Sequence, residues 1–345
     1  MKNRSKILSI VGPTAVGKTS VAIAVAKKIN GEIIGLDSRQ IYKGMAIGTA
    51  QPSAEEMEAI PHHLVAIREP NEIISAGEYA VLVEEIMSEI RGRGKEPILC
   101  GGAGLYLEAL TKGIFRDSAT DLKIRERLSK EYDKNPEGLL KKLQEIDPEY
   151  AEKVHINNKK RLVRALEIFE ITGKSPTEHF NNQPRTATTG RQSQHDGQVI
   201  PPRRAGNQPF CVILLSMVKQ DLEGRIRTRT KKMLENGWIE ETKALRKKYS
   251  VEEVHALDSI GYRQICQYLD GEYTLEELEE EMVVRTRQYA KRQLTWFRNR
   301  SNPIEIDINQ FKNIESLSDE IIHIWKKSSK IVTSPRDPSS YDEGI

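Results

Sequence analysis

The sequence predicts an α/β fold, a parallel sheet core interrupted by a helical insertion. Two observations carry that prediction. Short apolar runs alternate with amphipathic stretches up to about residue 115, and another buried-strand pattern, FCVILLSM, returns only after a helical and then a polar region.

The elements follow in order. The apolar run ILSIV, Ile7 to Val11, reads as a first buried strand, and SVAIAVAKKI continues as a helix with an apolar stripe. GEIIGLDS reads as a second strand ending at Asp37. VLVEEIMSEIRGRGK is an amphipathic helix, and EPILCGGAGLYLEAL gives a strand over Pro97 to Cys100, a glycine turn and another helix. From about residue 120 the period is helical: DLKIRERLSKEY, PEGLLKKLQEI and NKKRLVRALEIFEITG each carry an apolar stripe, with Gly173 as a helix stop. The expected division is 1–115 as the first part of the core and 116–209 as the insertion, ending in a flexible polar loop at 181–209. Residues 210–327 complete the core with basic helices, and 328–345 form a polar tail.

Between the first strand and helix lies GPTAVGKTS, which fits G-x-x-x-x-G-K-[ST] with Gly12, Gly17, Lys18 and Thr19. Strand, glycine turn and helix let backbone N–H groups cradle a phosphate while a lysine reaches another oxygen, so the core is of the P-loop NTPase-like kind. The motif specifies phosphate without specifying nucleotide. In parallel sheets ligands sit beyond the carboxyl ends of the strands, where GPTAVGKT, DSRQ and CGGAGLY all project. Asp37 at such a strand end suits a Mg²⁺ ligand, a general base or a helix N-cap.

The 345 residues carry a formal net charge of +3, too little to indicate nucleic acid by itself, but the charged fraction of 30% is high and the basic residues cluster. Arg285 to Arg300 contains Arg285, Arg287, Lys291, Arg292, Arg298 and Arg300 without an acidic residue, interleaved with Tyr289, Trp296 and Phe297. Such a field attracts a polyanion, and its aromatics either pack on the core or stack on bases. Further clusters lie at Lys159 to Arg164 and Arg225 to Lys232. Arg225 and Arg229, four apart, share a helical face and suit one diphosphate. His62 and His63 have no third ligand at suitable spacing and are expected to pack. Three scattered cysteines, no secretory apolar region and no long apolar run predict a cytoplasmic protein without a membrane span. It is expected to be a monomer.

Taken together, GPTAVGKT at 12–19, DSRQIYKGM at 37–45, IGTA at 47–50, PHHL at 61–64, GG-GLY at 101–106, RLVRALEIFEITGK at 161–174, GYRQ at 261–264 and TRQYAKRQLTWFR at 286–298 resemble the tRNA dimethylallyltransferases. The resemblance implies prenyl transfer from dimethylallyl diphosphate to adenosine 37 of a tRNA anticodon stem-loop, assisted by Mg²⁺. It implies a diphosphate cradle of Gly12, Thr14, Ala15, Val16, Gly17, Lys18 and Thr19, with Thr19 near the metal. By position Asp37 takes the N6 proton, while Lys18, Thr19, Arg225 and Arg229 attend the leaving diphosphate. The implied tRNA contacts are Asp37, Ser38, Arg39, Gln40, Ala103, Arg125, Lys160, Arg161, Leu162, Val163, Arg164, Arg285 and Arg292. Three positions depart from the family pattern: Ala103 stands for threonine in GGTGLY, Ala46 for aspartate in GMDIGTA, and Asn158 for the aspartate of HPND. A kinase would share the phosphate loop but needs no arginine-rich terminal helix. A binder that has lost the reaction would keep both.

Overall fold

The computed structural model describes residues 6–112, 121–181, 193–195, 198–200, 209–249 and 254–330. The chain forms two compact units, Met1–Thr111 with Gln208–Ile345, and Lys112–Asn207.

The first unit opens with β1 (Ile7–Val11) and α1 (Lys18–Ile29), followed by β2 (Gly31–Leu36), α2 (Ala46–Thr49), α3 (Ala54–Ala59), β3 (His62–His63), α4 (Ala76–Gly92), β4 (Glu96–Gly101) and α5 (Gly104–Lys112). The second unit holds α6 (Leu122–Lys134), α7 (Pro136–Ile146), α8 (Pro148–Ala151), α9 (Lys159–Thr172), α10 (Pro176–Asn181) and the antiparallel pair β5 (Ser193–His195) and β6 (Gln198–Ile200). The chain then completes the first unit with β7 (Phe210–Ser216), α11 (Lys219–Glu235), α12 (Trp238–Lys248), α13 (Tyr262–Leu269), α14 (Leu275–Arg300), β8 (Ile304–Asp307) and α15 (Ile314–Lys330).

The sheet runs β3-β2-β4-β1-β7-β8 with every pair parallel. Every residue of β1 is buried, as expected for a strand covered on both faces. Because β4 flanks β1 on one side and β7 on the other, the connection leaving β1 must cross over β4 to reach β2, which opens a crevice at the carboxyl end of β1. That crevice receives the GPTAVGKTS segment.

Four details depart from the sequence expectation. The edge strand β3 has only two residues, and β8 lies in a region expected to be helical although its four residues, IEID, alternate apolar and polar. A hairpin, β5 with β6, lies within the stretch expected to be a flexible loop; the other residues of that loop from 182 to 208 lie outside the described ones. The final helix continues through Lys330, past the expected start of the tail at 328, and residues 331–345 are outside the described ones.

His63 does pack: its Nε2 lies 2.7 Å from Oε2 of buried Glu32, which also meets Arg93 at 2.6 Å and Lys95 at 2.9 Å. Burial alone would raise the Glu32 pKa, but hydrogen bonds from Lys95, Arg93 and His63 outweigh it and hold the carboxyl at about 2. The cluster pins the short β3 to β2. His62 contacts the Ile60 carbonyl through Nδ1 at 2.7 Å.

In the second unit, Leu128, Leu139, Leu143, Val154, Leu162, Val163 and Leu166 form a core between the helices. Asn158 caps α9 by accepting the Arg161 N–H at 3.2 Å, so the amide at this position retains the capping role an aspartate would have. Leu162 and Val163, expected among the RNA contacts, are 0% and 4% exposed; their apolar side chains stabilise the bundle instead.

Candidate active site at the strand ends

The GPTAVGKTS loop follows β1 directly. Gly12 has φ 157°, and a Cβ there would stand 2.6 Å from the Leu215 carbonyl oxygen, so only glycine lets the loop leave β1 beside β7. Gly17 then opens α1. Lys18 Nζ donates to the carbonyls of Gly12 at 3.1 Å and Pro13 at 2.7 Å, folding the loop around its own cation. Burial lowers the Lys18 pKa to about 8, opposed by Cys100 and Asp37 and reinforced by Arg229. A desolvated cation of this kind gains most from an anion.

Two arginines arrive from α11 on one face, as their spacing predicts. Arg225 Nη1 donates to the Val16 carbonyl at 3.2 Å. Burial lowers the Arg229 pKa while Asp37 raises it, which places this guanidinium in the field of the carboxylate.

Asp37 stands immediately after β2. Its Oδ1 accepts the N–H groups of Arg39 at 2.8 Å and Gln40 at 3.3 Å, a turn that fixes the carboxylate at the strand end. Both bonds use Oδ1, which leaves Oδ2 for a ligand. The Gln40 side chain is committed within the protein: Nε2 donates to the carbonyls of Thr49 at 3.1 Å and Ala50 at 2.7 Å.

These groups line one cavity of about 710 Å³. Its wall includes Thr14, Ala15, Gly17, Lys18, Thr19, Asp37, Ser38, Arg39 and Gln40, joined by Arg225 and Arg229 from α11 and by Tyr289 and Arg292 from α14. The size suits a ligand of drug-like dimensions. Cys100 also lines it, but burial pushes the thiol up to about 12, so it stays protonated. Burial likewise raises Tyr289 to about 12, helped by Asp37.

Gln293 is the residue that sequence reasoning passed over. Its Oε1 accepts the Thr14 N–H at 2.9 Å and its Nε2 donates to the Gly102 carbonyl at 3.0 Å, bridging the phosphate loop and the glycine turn. A Cβ on Gly102 would collide with Nε2. The signal was present: Tyr289, Gln293 and Trp296 sit at helical spacing inside TRQYAKRQLTWFR, and Trp296 packs where a Cβ on Gly104 would be.

The expected RNA contacts are distributed unevenly. Ser38, Arg39 and Arg292 reach the cavity, and the Arg292 guanidinium lies 5.8 Å from the Tyr289 ring centroid. Ala103 is absent from the cavity wall; its N–H donates to the Leu36 carbonyl at 3.0 Å. Arg285 lies outside the wall and pairs with Glu281 at 2.6 Å. In the second unit Lys160 and Arg161 are exposed, whereas Arg125 and Arg164 both pair with fully buried Glu167, at 3.0 and 2.8 Å. The Arg125 pair joins α6 to α9, whereas the Arg164 pair lies within α9.

Comparison with known proteins decides the family. A sequence profile of IPP transferase matches residues 40–300. The chain belongs to the IPP transferase family. It is 38% identical over 319 residues to the tRNA dimethylallyltransferase of Anoxybacillus flavithermus, spanning 92% of this chain and 95% of that one. It is 40% identical over 313 residues to the tRNA dimethylallyltransferase of Acetivibrio thermocellus, covering 90% and 94%. Among solved structures, the full-length tRNA isopentenylpyrophosphate transferase of Bacillus halodurans superposes with a TM-score of 0.63 at 36% identity, covering 96% of this chain and all of that one. A eukaryotic dimethylallyltransferase acting on tRNA gives a TM-score of 0.75 at 28% identity, covering 97% and 82%. As an IPP transferase, the chain has a parallel α/β core with helices on a separate unit. Among the described residues no helix is long and apolar enough to cross a membrane.

Proposed function

We propose that this chain transfers the dimethylallyl group of dimethylallyl diphosphate to N6 of adenosine 37 in tRNA, forming N6-(dimethylallyl)adenosine and releasing diphosphate. The observation that carries this reading is the meeting of a P-loop-type cradle, Lys18, Arg225, Arg229 and the Asp37 carboxylate in one cavity.

The geometry divides the labour. Lys18 and the two arginines, near Asp37 but in no ion-pair contact with a carboxylate among the described residues, hold the diphosphate and offset the charge that develops as its C–O bond breaks. The exocyclic amine is a weak nucleophile, so Asp37 accepts its proton as the new C–N bond forms. An allylic carbon tolerates positive charge, which makes leaving-group stabilisation the larger contribution. Gln293 keeps the cradle and the glycine turn in register. An unpaired anticodon-loop base is extruded more cheaply than one in a duplex, and Tyr289 and Arg292 offer it surfaces for stacking and charge.

The donor set fits Mg²⁺. Thr19 and Asp37 supply oxygen atoms to the same cavity, and a metal with few protein ligands takes its remaining coordination from phosphate and water. Mg²⁺ bound there would neutralise diphosphate charge. The reading includes a cytoplasmic monomer whose second unit receives the anticodon stem-loop; its three buried, unpaired thiols suit a reducing compartment.

The test is incubation with Mg²⁺, dimethylallyl diphosphate and an anticodon stem-loop bearing A37, followed by mass measurement of the RNA. The expected gain is one isopentenyl unit, about 68 Da by covalent arithmetic, lost in Asp37→Ala. An unmodified RNA from the parent protein would rule the reading out.

A further inference from the structure

The short helix α2 starts without a cap of its own. Met45 precedes it with no side-chain hydrogen bond, its first turn holds no acidic residue, and Ala46 at its head is exposed. The missing acceptor comes from 194 positions later. Glu241 on α12 accepts the Ile47 N–H through Oε2 at 2.8 Å and the Gly48 N–H through Oε1 at 2.9 Å. Tyr262 on α13 donates its hydroxyl to the same Oε1 at 2.6 Å, so the carboxylate is held in turn. The contact is close packed as well: a Cβ on Gly48 would overlap both the Trp238 indole and the Tyr262 ring.

The other end of α2 reaches the proposed catalytic carboxylate. Its terminal carbonyls, Thr49 and Ala50, accept the Gln40 side-chain amide, and Gln51 Nε2 donates back to the carbonyls of Gln40 at 2.8 Å and Tyr42 at 2.7 Å. Gln40 N–H is one of the two donors that fix Asp37 Oδ1. Thus a continuous set of hydrogen bonds runs from Glu241 and Tyr262, through four residues of helix, to the turn that holds Asp37. Gly48 to Gln51 and Trp238 also form part of the cavity wall.

We propose that Glu241, backed by Tyr262, is a positioning residue for prenyl transfer that orients Asp37 through α2 and Gln40. The proposal rests on the function assigned above. It differs from a merely structural role in what it leaves untouched: none of the hydrogen bonds of this network involves Lys18, Arg225 or Arg229. Removing Glu241 therefore loosens the proton acceptor without weakening the hold on diphosphate. Misplacing a catalytic group by about 1 Å costs roughly 100-fold in rate, which sets the upper end of the effect.

The experiment compares the parent with Glu241→Ala, Glu241→Gln and Tyr262→Phe in three measurements: steady-state prenyl transfer, affinity for inorganic pyrophosphate, and amide hydrogen exchange over residues 37–51. Glu241→Ala is expected to lower kcat by roughly 10- to 100-fold, keep pyrophosphate affinity within about twofold, and speed exchange at Gln40, Ile47 and Gly48. Glu241→Gln, which retains one acceptor, is expected to recover most of kcat, and Tyr262→Phe to fall between. A parental kcat in Glu241→Ala overturns the proposal, as does a loss of pyrophosphate affinity equal to the loss of kcat. Unchanged exchange over 37–51 also overturns it, even if the parent proves inactive on RNA. Inactivity of the parent itself would instead remove the assigned function.

Discussion

In the strand-end cavity Lys18 and Arg225 donate to backbone carbonyls, whereas in the second unit Arg125 and Arg164 converge on the carboxylate of buried Glu167. Arg127 meets Glu170, and Lys159 meets Asp133 at 2.6 Å. The same residue types thus do opposite work. A carbonyl orients a cation without cancelling its charge, so the cavity keeps a field for an anion. The buried Glu167 carboxylate offsets one of the two guanidinium charges that meet it and makes Arg125 a fastening between α6 and α9. Clusters of Lys and Arg in a sequence cannot separate these cases, because the distinction lies in partners many residues away.

The largest expected effect comes from breaking the cavity's side of the contrast. Lys18→Ala should lower kcat/KM for prenyl transfer by about 1000-fold, as removal of a principal charge stabiliser does, with an unchanged unfolding profile for the second unit. Lys160→Ala, on an exposed position of that unit, should instead weaken RNA binding uniformly across sequences and reduce the salt slope by about 1. Comparable losses from the two substitutions would erase the distinction.

Next in size is the fastening itself. Glu167→Ala removes a buried carboxylate that accepts from both Arg125 and Arg164 and should destabilise the second unit by about 2 kcal/mol. Denaturant unfolding followed by hydrogen exchange in α6 and α9 measures it, and pyrophosphate affinity should stay at the parental value. A stable bundle after this change would mean that the arginines are held by something other than Glu167.

How much of this was legible in the sequence follows the same division between local and distant partners. The phosphate loop was readable because its constraints are local: Gly12 must pass a carbonyl, and Lys18 must fold back over five or six residues. Asp37 was readable from its place after a strand. Arg125, Arg164, Leu162 and Val163 are tRNA contacts only by the family resemblance, which is blind to the fold around them: the helix turns the two apolar residues inward, and Glu167, three residues after Arg164, pairs with both arginines. Gln293 shares a helical face with Tyr289 and Trp296, but that spacing does not name its partner 279 positions away, and Glu241, whose partner is 194 positions away, has no distinctive spacing at all. Strand β3 is too short to show a period, while the IEID alternation of β8 is a single four-residue run between helical stretches.

A smaller effect sharpens the comparison through pH. The ammonium of ligand-free Lys18 titrates near 8, lowered chiefly by burial, while a bound diphosphate favours its charged form. Affinity is therefore full below that value and falls as pH rises through it, by up to about tenfold per unit above pH 8. Calorimetric titration with pyrophosphate at pH 7, 8 and 9 checks this. Lys18→Arg, whose guanidinium keeps its proton throughout, supplies the baseline for the titration of pyrophosphate itself. Parallel profiles for the two proteins would show that Lys18 holds its proton by other means.

The smallest effect concerns Ala103, where the family pattern has threonine. The Ala103 carbonyl accepts the N–H groups of Tyr106 at 3.1 Å and Leu107 at 3.2 Å, so this residue occupies the N-cap of α5. Its methyl group offers no acceptor to the first-turn donors of the helix. Ala103→Thr supplies one and should stabilise the first unit by about 1 kcal/mol, the usual difference between threonine and alanine at a helix start. If the added hydroxyl acts on the helix alone, kcat should move by less than about threefold. Thermal unfolding and steady-state transfer on the same preparation separate the two roles. A large rise in kcat without added stability would place the hydroxyl beside the departing diphosphate and draw the glycine turn into the anion-holding side of the contrast.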